Sequence, residues 1–277
     1  MMDDYTKKIY EQNLNFVNLC ALYLIKEYPN KYNFVNSRQK YDAITIITEV
    51  IYLLITGVSY RNYRGPVNPK TLNKHVLFIS HNHIFENIYR IYYNRYEKEH
   101  PHKKYKYLSV DTTFVMNKNG KEIYGRNKQY KWKNGLKISI ISDTNKIPID
   151  ILVDGGNVSD LTLLYKHFER IKLEKYSFVK PYLLADKIYD SKKSHDLCGK
   201  SILKPLIDKN NRNTKDKKLI KKFTKQEKAI YKKRIVVENS FCRTKQFRRI
   251  LNVWDAYYST FTNFVYLNYC LMISKIM

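Results

Sequence analysis

Apolar residues recur three and four positions apart through the first hundred residues, which is the spacing of helices with one buried face. Four segments show this spacing and predict helices at residues 12–27, 38–56, 69–79 and 82–97. Turn-forming residues follow the first two segments and mark their ends. The pattern therefore predicts an all-helical N-terminal domain over residues 1–100.

The pattern changes after residue 100 to short runs of β-branched and other apolar residues. Five of these runs predict strands, at residues 107–113, 136–143, 147–156, 181–186 and 201–207. Helical segments lie between the later runs and make up most of the chain after residue 225. We therefore predict an α/β domain over residues 104–277, with a mixed five-stranded sheet flanked by helices.

Residues 225–249 are predicted to form one long helix, because residues 231–245 in this segment include no Gly or Pro that would interrupt it. At about 100° per residue, Tyr231, Arg234, Glu238 and Lys245 fall on one narrow stripe of this helix. Apolar residues border the stripe, which is typical of a helix that faces a cleft. The alternative is a surface helix on which Arg234 and Glu238 form an ion pair four residues apart.

The charge of the chain indicates a polyanionic partner. The sequence has 51 Lys and Arg residues against 25 Asp and Glu residues, a formal net charge of +26. An AT-rich coding sequence accounts for part of the lysine excess, but an excess of this size favours nucleic acid as the partner.

The remaining composition favours an intracellular protein. The four cysteines are scattered without a Cys-x-x-Cys pair, which is typical of free thiols in a reducing compartment, whether cytoplasm, nucleoid or nucleus. No apolar run approaches the roughly 18 residues of a membrane span, and the polar N-terminus does not have the pattern of a signal peptide. We therefore expect no membrane partner.

Two basic segments are candidate DNA contacts. The first is a basic and aromatic patch beside the third predicted helix, with the members Tyr60, Arg61, Tyr63, Arg64, Lys70 and Lys74. It suits docking on DNA in helix-turn-helix fashion, and its alternative is the solvated rim of a packing subdomain. The second is the loop 208–223, which we expect to bind DNA electrostatically and to become ordered on binding.

Three carboxylates are candidate catalytic groups because of their positions. Asp111 and Asp186 end the first and fourth predicted strands, and Glu238 lies on the long helix. Such a cluster suits two Mg²⁺ or Mn²⁺ ions, which activate a water or a 3′-hydroxyl in phosphodiester cleavage. An aspartate at a strand end is also often only a turn residue. Competing acids stay open as alternatives, namely Asp143, Asp150, Asp154, Asp160 and Asp190.

The chain resembles the DDE transposases of insertion-sequence type, which carry a Tyr-Arg-Glu-Lys signature. Tyr231, Arg234, Glu238 and Lys245 have the spacing of that signature, with two, three and six residues between successive members. Three further segments resemble family motifs: VDTTF at 110–114, the hairpin and Gly-Asn-x-x-Asp segment at 124–164, and LLADKIYDS at 183–191. Residues 47–63 resemble the helical segment that precedes the catalytic domain in this family. The resemblance covers about residues 45–275.

This resemblance implies an RNase H-like fold in which Asp111, Asp186 and Glu238 hold two Mg²⁺ or Mn²⁺ ions. It implies DNA contacts from the side chains of Tyr231, Arg234, Lys245 and Lys137. The activity it implies is cleavage at the element's terminal inverted repeats and strand transfer into target DNA, performed by a homodimer on DNA. The alternatives are a domesticated, catalytically silent DNA-binding protein and a nuclease of the same fold that does not transpose.

Overall fold

The computed structural model describes residues 4–32, 40–100, 106–117, 119–122, 124–171, 180–201, 203–209 and 223–277. Most of the predicted basic loop 208–223 lies outside these residues. The chain divides into two compact units, each built from separated stretches of sequence. The first unit comprises Met1–Arg95, Asn117–Glu122 and Thr244–Met277, and the second comprises Tyr96–Met116 and Ile123–Arg243.

The helices and strands agree in most places with the hydrophobic pattern. The helices are α1 (Asp4–Gln12), α2 (Leu14–Glu27), α3 (Pro29–Tyr32), α4 (Ala43–Thr56), α5 (Pro69–His81), α6 (Ile84–Glu99), α7 (Asp160–Arg170), α8 (Lys192–Lys200), α9 (Lys225–Tyr231), α10 (Ile235–Thr244), α11 (Arg248–Leu251) and α12 (Tyr258–Ile273). The strands are β1 (Tyr107–Met116), β2 (Gly125–Asn127), β3 (Lys133–Ser142), β4 (Pro148–Gly155), β5 (Tyr182–Ala185) and β6 (Lys204–Ile207). Within the described ranges, every helix falls short of the length and apolar character that a membrane crossing requires.

The first unit is helical and is organised around α4. The side chain of Asp42 accepts a hydrogen bond from the backbone N–H of Thr45 and so caps the helix, which begins later than predicted. Gly57 ends it in the left-handed conformation, with φ +63°, as its position in the sequence predicts. Both α2 and α11 pack against α4, and α12 packs against α5. The C-terminal helix thus belongs to the N-terminal unit.

The aromatic members of the predicted basic and aromatic patch have structural roles in this unit. Tyr63 is buried and donates a hydrogen bond of 2.6 Å to the carboxylate of Glu49, which is also buried. The guanidinium of Arg249 lies 5.1 Å from the ring centre of Tyr60. The four basic members remain exposed: Arg61, Arg64, Lys70 and Lys74.

The second unit contains a mixed sheet with the strand order β4–β3–β1–β5–β6. Strands β1, β3 and β4 are antiparallel neighbours, whereas β5 runs parallel to both β1 and β6. The short strand β2, which the sequence pattern does not predict, pairs with the start of β3. The predicted mixed α/β class is confirmed, and the sheet is compatible with an RNase H-like fold.

Alternation along β1 separates the core of this unit from its polar groups. Leu108 and Val110 point toward the face where α7 and α8 contribute Leu164 and Cys198 to one buried cluster. Asp111 follows Val110 directly, so its side chain points to the opposite face of the sheet. The same strand therefore anchors the core and presents a carboxylate on its opposite face.

Candidate active site

Asp111 and Asp186 lie at matching levels of two neighbouring parallel strands. The last parallel pair of β1 and β5 is Ser109 with Leu184, so each aspartate lies two residues beyond it. The prediction that Asp111 ends its strand is wrong, because β1 continues through Met116 in antiparallel pairing with β3. The prediction for Asp186 is correct, since β5 ends at the residue before it.

The two carboxylates line one pocket of about 310 Å³ together with a third, that of Asp160. Asp160 is the first residue of α7. Lys137 and Phe114 also line this pocket, which we call the carboxylate pocket, and Glu238 does not. The third acid that lines this pocket is therefore Asp160, one of the competing aspartates.

Asp160 is held in place by a buried network. Its Oδ1 atom accepts a hydrogen bond of 2.7 Å from the Lys137 ammonium and one of 2.8 Å from the Thr112 hydroxyl. Lys137 also donates to the carbonyl of Val158, at 2.8 Å. The Lys137 and Asp160 side chains are each only 10% exposed. The contact of Lys137 with DNA stays a prediction, and its ammonium is engaged inside the protein.

The other four competing acids have partners elsewhere in the second unit. Asp143 accepts a hydrogen bond from Tyr96, and Asp150 pairs with buried His167. The partners of Asp154 and Asp190 are Lys166 and His195 respectively. None of these four lines the carboxylate pocket.

Arg234 connects Glu238 to the sheet. Its Nη2 atom donates to Glu238 Oε1 at 2.5 Å, and its Nη1 atom donates to Asp111 Oδ2 at 3.2 Å. The Glu238 side chain is 48% exposed, whereas that of Arg234 is only 20% exposed. Glu238 thus lies near Asp111 through a shared guanidinium.

The prediction of one long helix over 225–249 is wrong. A 3₁₀ segment, Lys232–Arg234, separates α9 from α10, and α10 ends at Thr244. A 3₁₀ helix has about three residues per turn, so the angle of 100° per residue does not apply across Lys232–Arg234. Tyr231 and Lys245 therefore do not lie on one continuous helical stripe with Glu238. Lys245 follows the end of α10 and is exposed.

Tyr231 lies at the end of α9, against the strand that carries the second acidic motif. Its hydroxyl donates a hydrogen bond of 3.3 Å to the carbonyl of Ala185, the residue before Asp186. Partial burial, more than the charge of Asp186, raises the pKa of the Tyr231 hydroxyl to about 12, although Arg234 opposes the change. Tyr231 is therefore a neutral hydrogen-bond donor at physiological pH.

The carboxylate pocket disfavours the ionised form of Asp111. Burial is the main cause of a raised pKa for this carboxyl group, and the charges of Asp160 and Asp186 add to it. A hydrogen bond from the Thr112 N–H and the charge of Arg234 act in the opposite direction. Further positive charge near Asp111 would stabilise the ionised form of its carboxyl group.

The donor set fits a hard divalent cation, since carboxylate oxygens are the ligands that Mg²⁺ and Mn²⁺ prefer. In the described part of the chain, however, no three His, Cys, Asp or Glu side chains are arranged to hold a metal ion. Arg234 and Lys137 supply the positive charge around Asp111 and Asp160 in this arrangement.

The sequence pattern does not single out two of the site residues, Asp160 and Thr112. Both belong to the motif segments: Thr112 is part of VDTTF, and Asp160 ends the Gly-Asn-x-x-Asp segment. The position of Asp160 in this motif was a signal for a functional role. Five aspartates were equally possible as further candidate acids, however, and only their contacts in the folded protein distinguish them.

Comparison with known proteins identifies the family of the chain. The family model described as transposase DDE domain matches residues 102–272, well over half of the sequence. Searches of curated proteins and of solved structures gave no match. The matched region includes β1 to β6 and the helices that carry Arg234 and Glu238. With this match added to the sheet order and the carboxylate pocket, the chain belongs to the transposase DDE domain family.

Proposed function

We propose that the protein is a DNA transposase that cleaves DNA at the ends of its element in a metal-dependent reaction and transfers the cleaved strand into target DNA. The observation that carries the proposal is that Asp111 and Asp186 lie at one level of two neighbouring strands and line one pocket, with Arg234 joining Asp111 to Glu238. Family membership and the net charge of +26 support a DNA substrate.

Asp111, Asp186 and Glu238 are the proposed ligands of two Mg²⁺ or Mn²⁺ ions. When bound, such ions supply a Lewis acid for the scissile phosphate and lower the pKa of the attacking water or 3′-hydroxyl. Arg234 now neutralises Asp111 and Glu238, so it has to release them for the carboxylates to act as ligands. A released guanidinium is suited to a DNA phosphate, which it can bind with two parallel hydrogen bonds.

The proposed DNA contacts are Tyr231, Arg234, Lys245 and Lys137. The half-buried hydroxyl of Tyr231, at the edge of the second acidic motif, is suited to a position beside the scissile bond. Exposed Lys245 needs no rearrangement to bind a phosphate. Lys137 requires that its ammonium leave Asp160 or Val158 before it binds one.

The substrates in this proposal are the terminal inverted repeats and a target duplex, and the assembly is a homodimer that pairs two ends. A suitable test uses labelled duplex carrying the terminal sequences that flank the gene, incubated with the protein in Mg²⁺, Mn²⁺ or EDTA. We expect nicked and strand-transfer products only with metal. Asp111→Asn, Asp186→Asn and Glu238→Gln should each lower the rate by about 100-fold or more.

Retention of full activity in all three variants would refute the assignment of these ligands. Binding of the end DNA without any metal-dependent product would instead support the catalytically silent DNA-binding protein. Cleavage without preference for the ends, and without joined products, would support a nuclease of the same fold.

A further inference from the structure

The turn that joins β2 to β3 is strongly basic and lies beside the carboxylate pocket. We call residues 126–133, with the sequence RNKQYKWK, the basic turn. It has four cations and no acid, and all four cationic side chains are exposed: Arg126, Lys128, Lys131 and Lys133. The turn therefore presents concentrated positive charge next to the proposed catalytic residues.

The backbone of the basic turn is held in an unfavourable conformation. Lys131 and Trp132 are both left-handed, with φ of +55° and +57°, a region that side chains with a Cβ atom rarely adopt. The Trp132 N–H donates to the carbonyl of Asn127 at 2.9 Å. Asn127 is itself buried and donates from Nδ2 to the carbonyl of Gly156, at 2.9 Å. Such conformations persist where the surroundings fix them, and they concentrate at binding sites.

This frame presents an indole to solvent. Trp132 is 62% exposed, although a large aromatic side chain is stabilised by burial. Tyr130, on the same turn, stacks on Phe114 with 4.5 Å between the ring centres, and Phe114 lines the carboxylate pocket. The turn is thus anchored to the site by one aromatic ring while the other stays available.

Trp132 opens onto a cleft of about 400 Å³ that adjoins the carboxylate pocket. Arg126, Lys128 and Asn157 line this cleft beside the indole. Lys137 and Asp160 line both the cleft and the carboxylate pocket. A chain bound in the cleft would therefore pass directly to the proposed catalytic carboxylates.

We propose that the basic turn binds an unpaired nucleotide of the DNA strand, with the base stacked on Trp132 and the adjacent phosphates bound by Arg126 and Lys128. An exposed aromatic ring among cations is the combination that single-stranded nucleic acids bind, since every base offers a π-face. In a duplex these faces are already stacked on one another, so the occupant is a base that has left the helix. This inference rests on the proposed function and adds a subsite to it.

The test uses the fluorescence of Trp132 in the full chain. The sequence has two tryptophans, so Trp254→Phe leaves Trp132 as the only indole. This protein is titrated in EDTA with a 12-nucleotide single strand, the same strand containing abasic residues, and a blunt duplex. We expect strong quenching by the normal single strand only, because stacking on a base quenches indole emission.

Affinity measurements on variants separate stacking from charge. Trp132→Ala should weaken binding of the normal single strand about 5- to 100-fold, with no change for the abasic strand, and Trp132→Phe should recover most of the loss. Trp132→Ala should leave the salt dependence unchanged, whereas Lys128→Ala should reduce its logarithmic slope by about one. Unchanged circular dichroism shows that the variants fold.

Equal affinity of Trp132→Ala and the parent for the normal strand, or equal quenching by the normal and abasic strands, would overturn the proposal. Quenching by the blunt duplex alone would do the same. Because these measurements need neither metal nor cleavage, they are independent of the transposase assay. Loss of end cleavage with intact stacking would refute the transposase proposal alone, and intact cleavage without stacking would refute only this subsite.

Discussion

The pair formed by Lys137 and Asp160 should contribute more to stability than any exposed ion pair of the second unit. Both side chains are 10% exposed, and the two charged atoms are 2.7 Å apart. Lys137→Met leaves the Asp160 carboxylate buried beside Asp111 and Asp186 without its partner. Removal of one member of a buried pair typically costs about 3–5 kcal/mol, because the remaining charge is desolvated and unpaired. We expect a loss near the lower end, since the Thr112 hydroxyl still donates to Asp160.

Hydrogen exchange of backbone amides in β3 and α7 measures this loss, because it reports the free energy of opening the second unit alone. An unfolding transition of the whole chain would average the stabilities of the two units. The matched control is Lys166→Met. It removes the ion-pair partner of Asp154, and the Lys166 side chain is 47% exposed. That control should cost less than about 1 kcal/mol.

Replacement of both partners, in Lys137→Met with Asp160→Asn, should recover most of the stability, since no unpaired charge remains. If Lys137→Met costs no more than Lys166→Met, the pair is not buried as described. A double variant that is no more stable than Lys137→Met would show that lost packing, and not charge, causes the effect.

Three further predictions follow from the charge and burial of single residues. Asp111→Asn should stabilise the metal-free protein more at pH 7 than at pH 4. Burial raises the folded-state pKa of the Asp111 carboxyl group, so the parent loses stability as pH rises through and above the ordinary aspartate range, and chemical denaturation at the two pH values measures the difference. Arg249→Met should cost about 3–5 kcal/mol in the first unit, because buried Arg249 makes two hydrogen bonds to Asp255, at 3.0 and 2.8 Å, and hydrogen exchange of the backbone amides of α4 and α12 would measure the loss. A thiol reagent should modify Cys242 rapidly and the other three cysteines only on unfolding, since Cys242 alone of the four is exposed; rapid modification of two or more would contradict the packing.

Hydrophobic periodicity was sufficient for most of the elements but not for their ends. The segment after Asp111 is Thr-Thr-Phe-Val-Met, which has high strand propensity and continues β1 for five residues. The strand propensity of these residues predicts the longer strand. No residue pattern in Lys232–Arg234 predicts the 3₁₀ segment in the same way. Residues on both sides of it favour a helix, and a change of helix type depends on tertiary contacts such as that of Arg234 with Asp111.

Local sequence pattern also does not predict which stretches of the chain make up each of the two units. The apolar residues of α12 predict a buried helix but do not identify its neighbours. Its packing against α5 brings together segments almost two hundred residues apart. The same limit applies to Asp160, since its hydrogen bonds to Lys137 and Thr112 join separate elements.

Arg234 shows why the two interpretations of the polar stripe could not be separated by spacing. The intrahelical pair with Glu238 expected of a surface helix is present, at 2.5 Å. The same guanidinium also binds Asp111, which is 123 residues away in the sequence. The two interpretations were therefore not exclusive: an ion pair four residues apart is compatible with a helix that faces the sheet. Only the contact between distant residues brings Glu238 and Asp111 to one site, and substitution of Arg234 would act on both carboxylates at once.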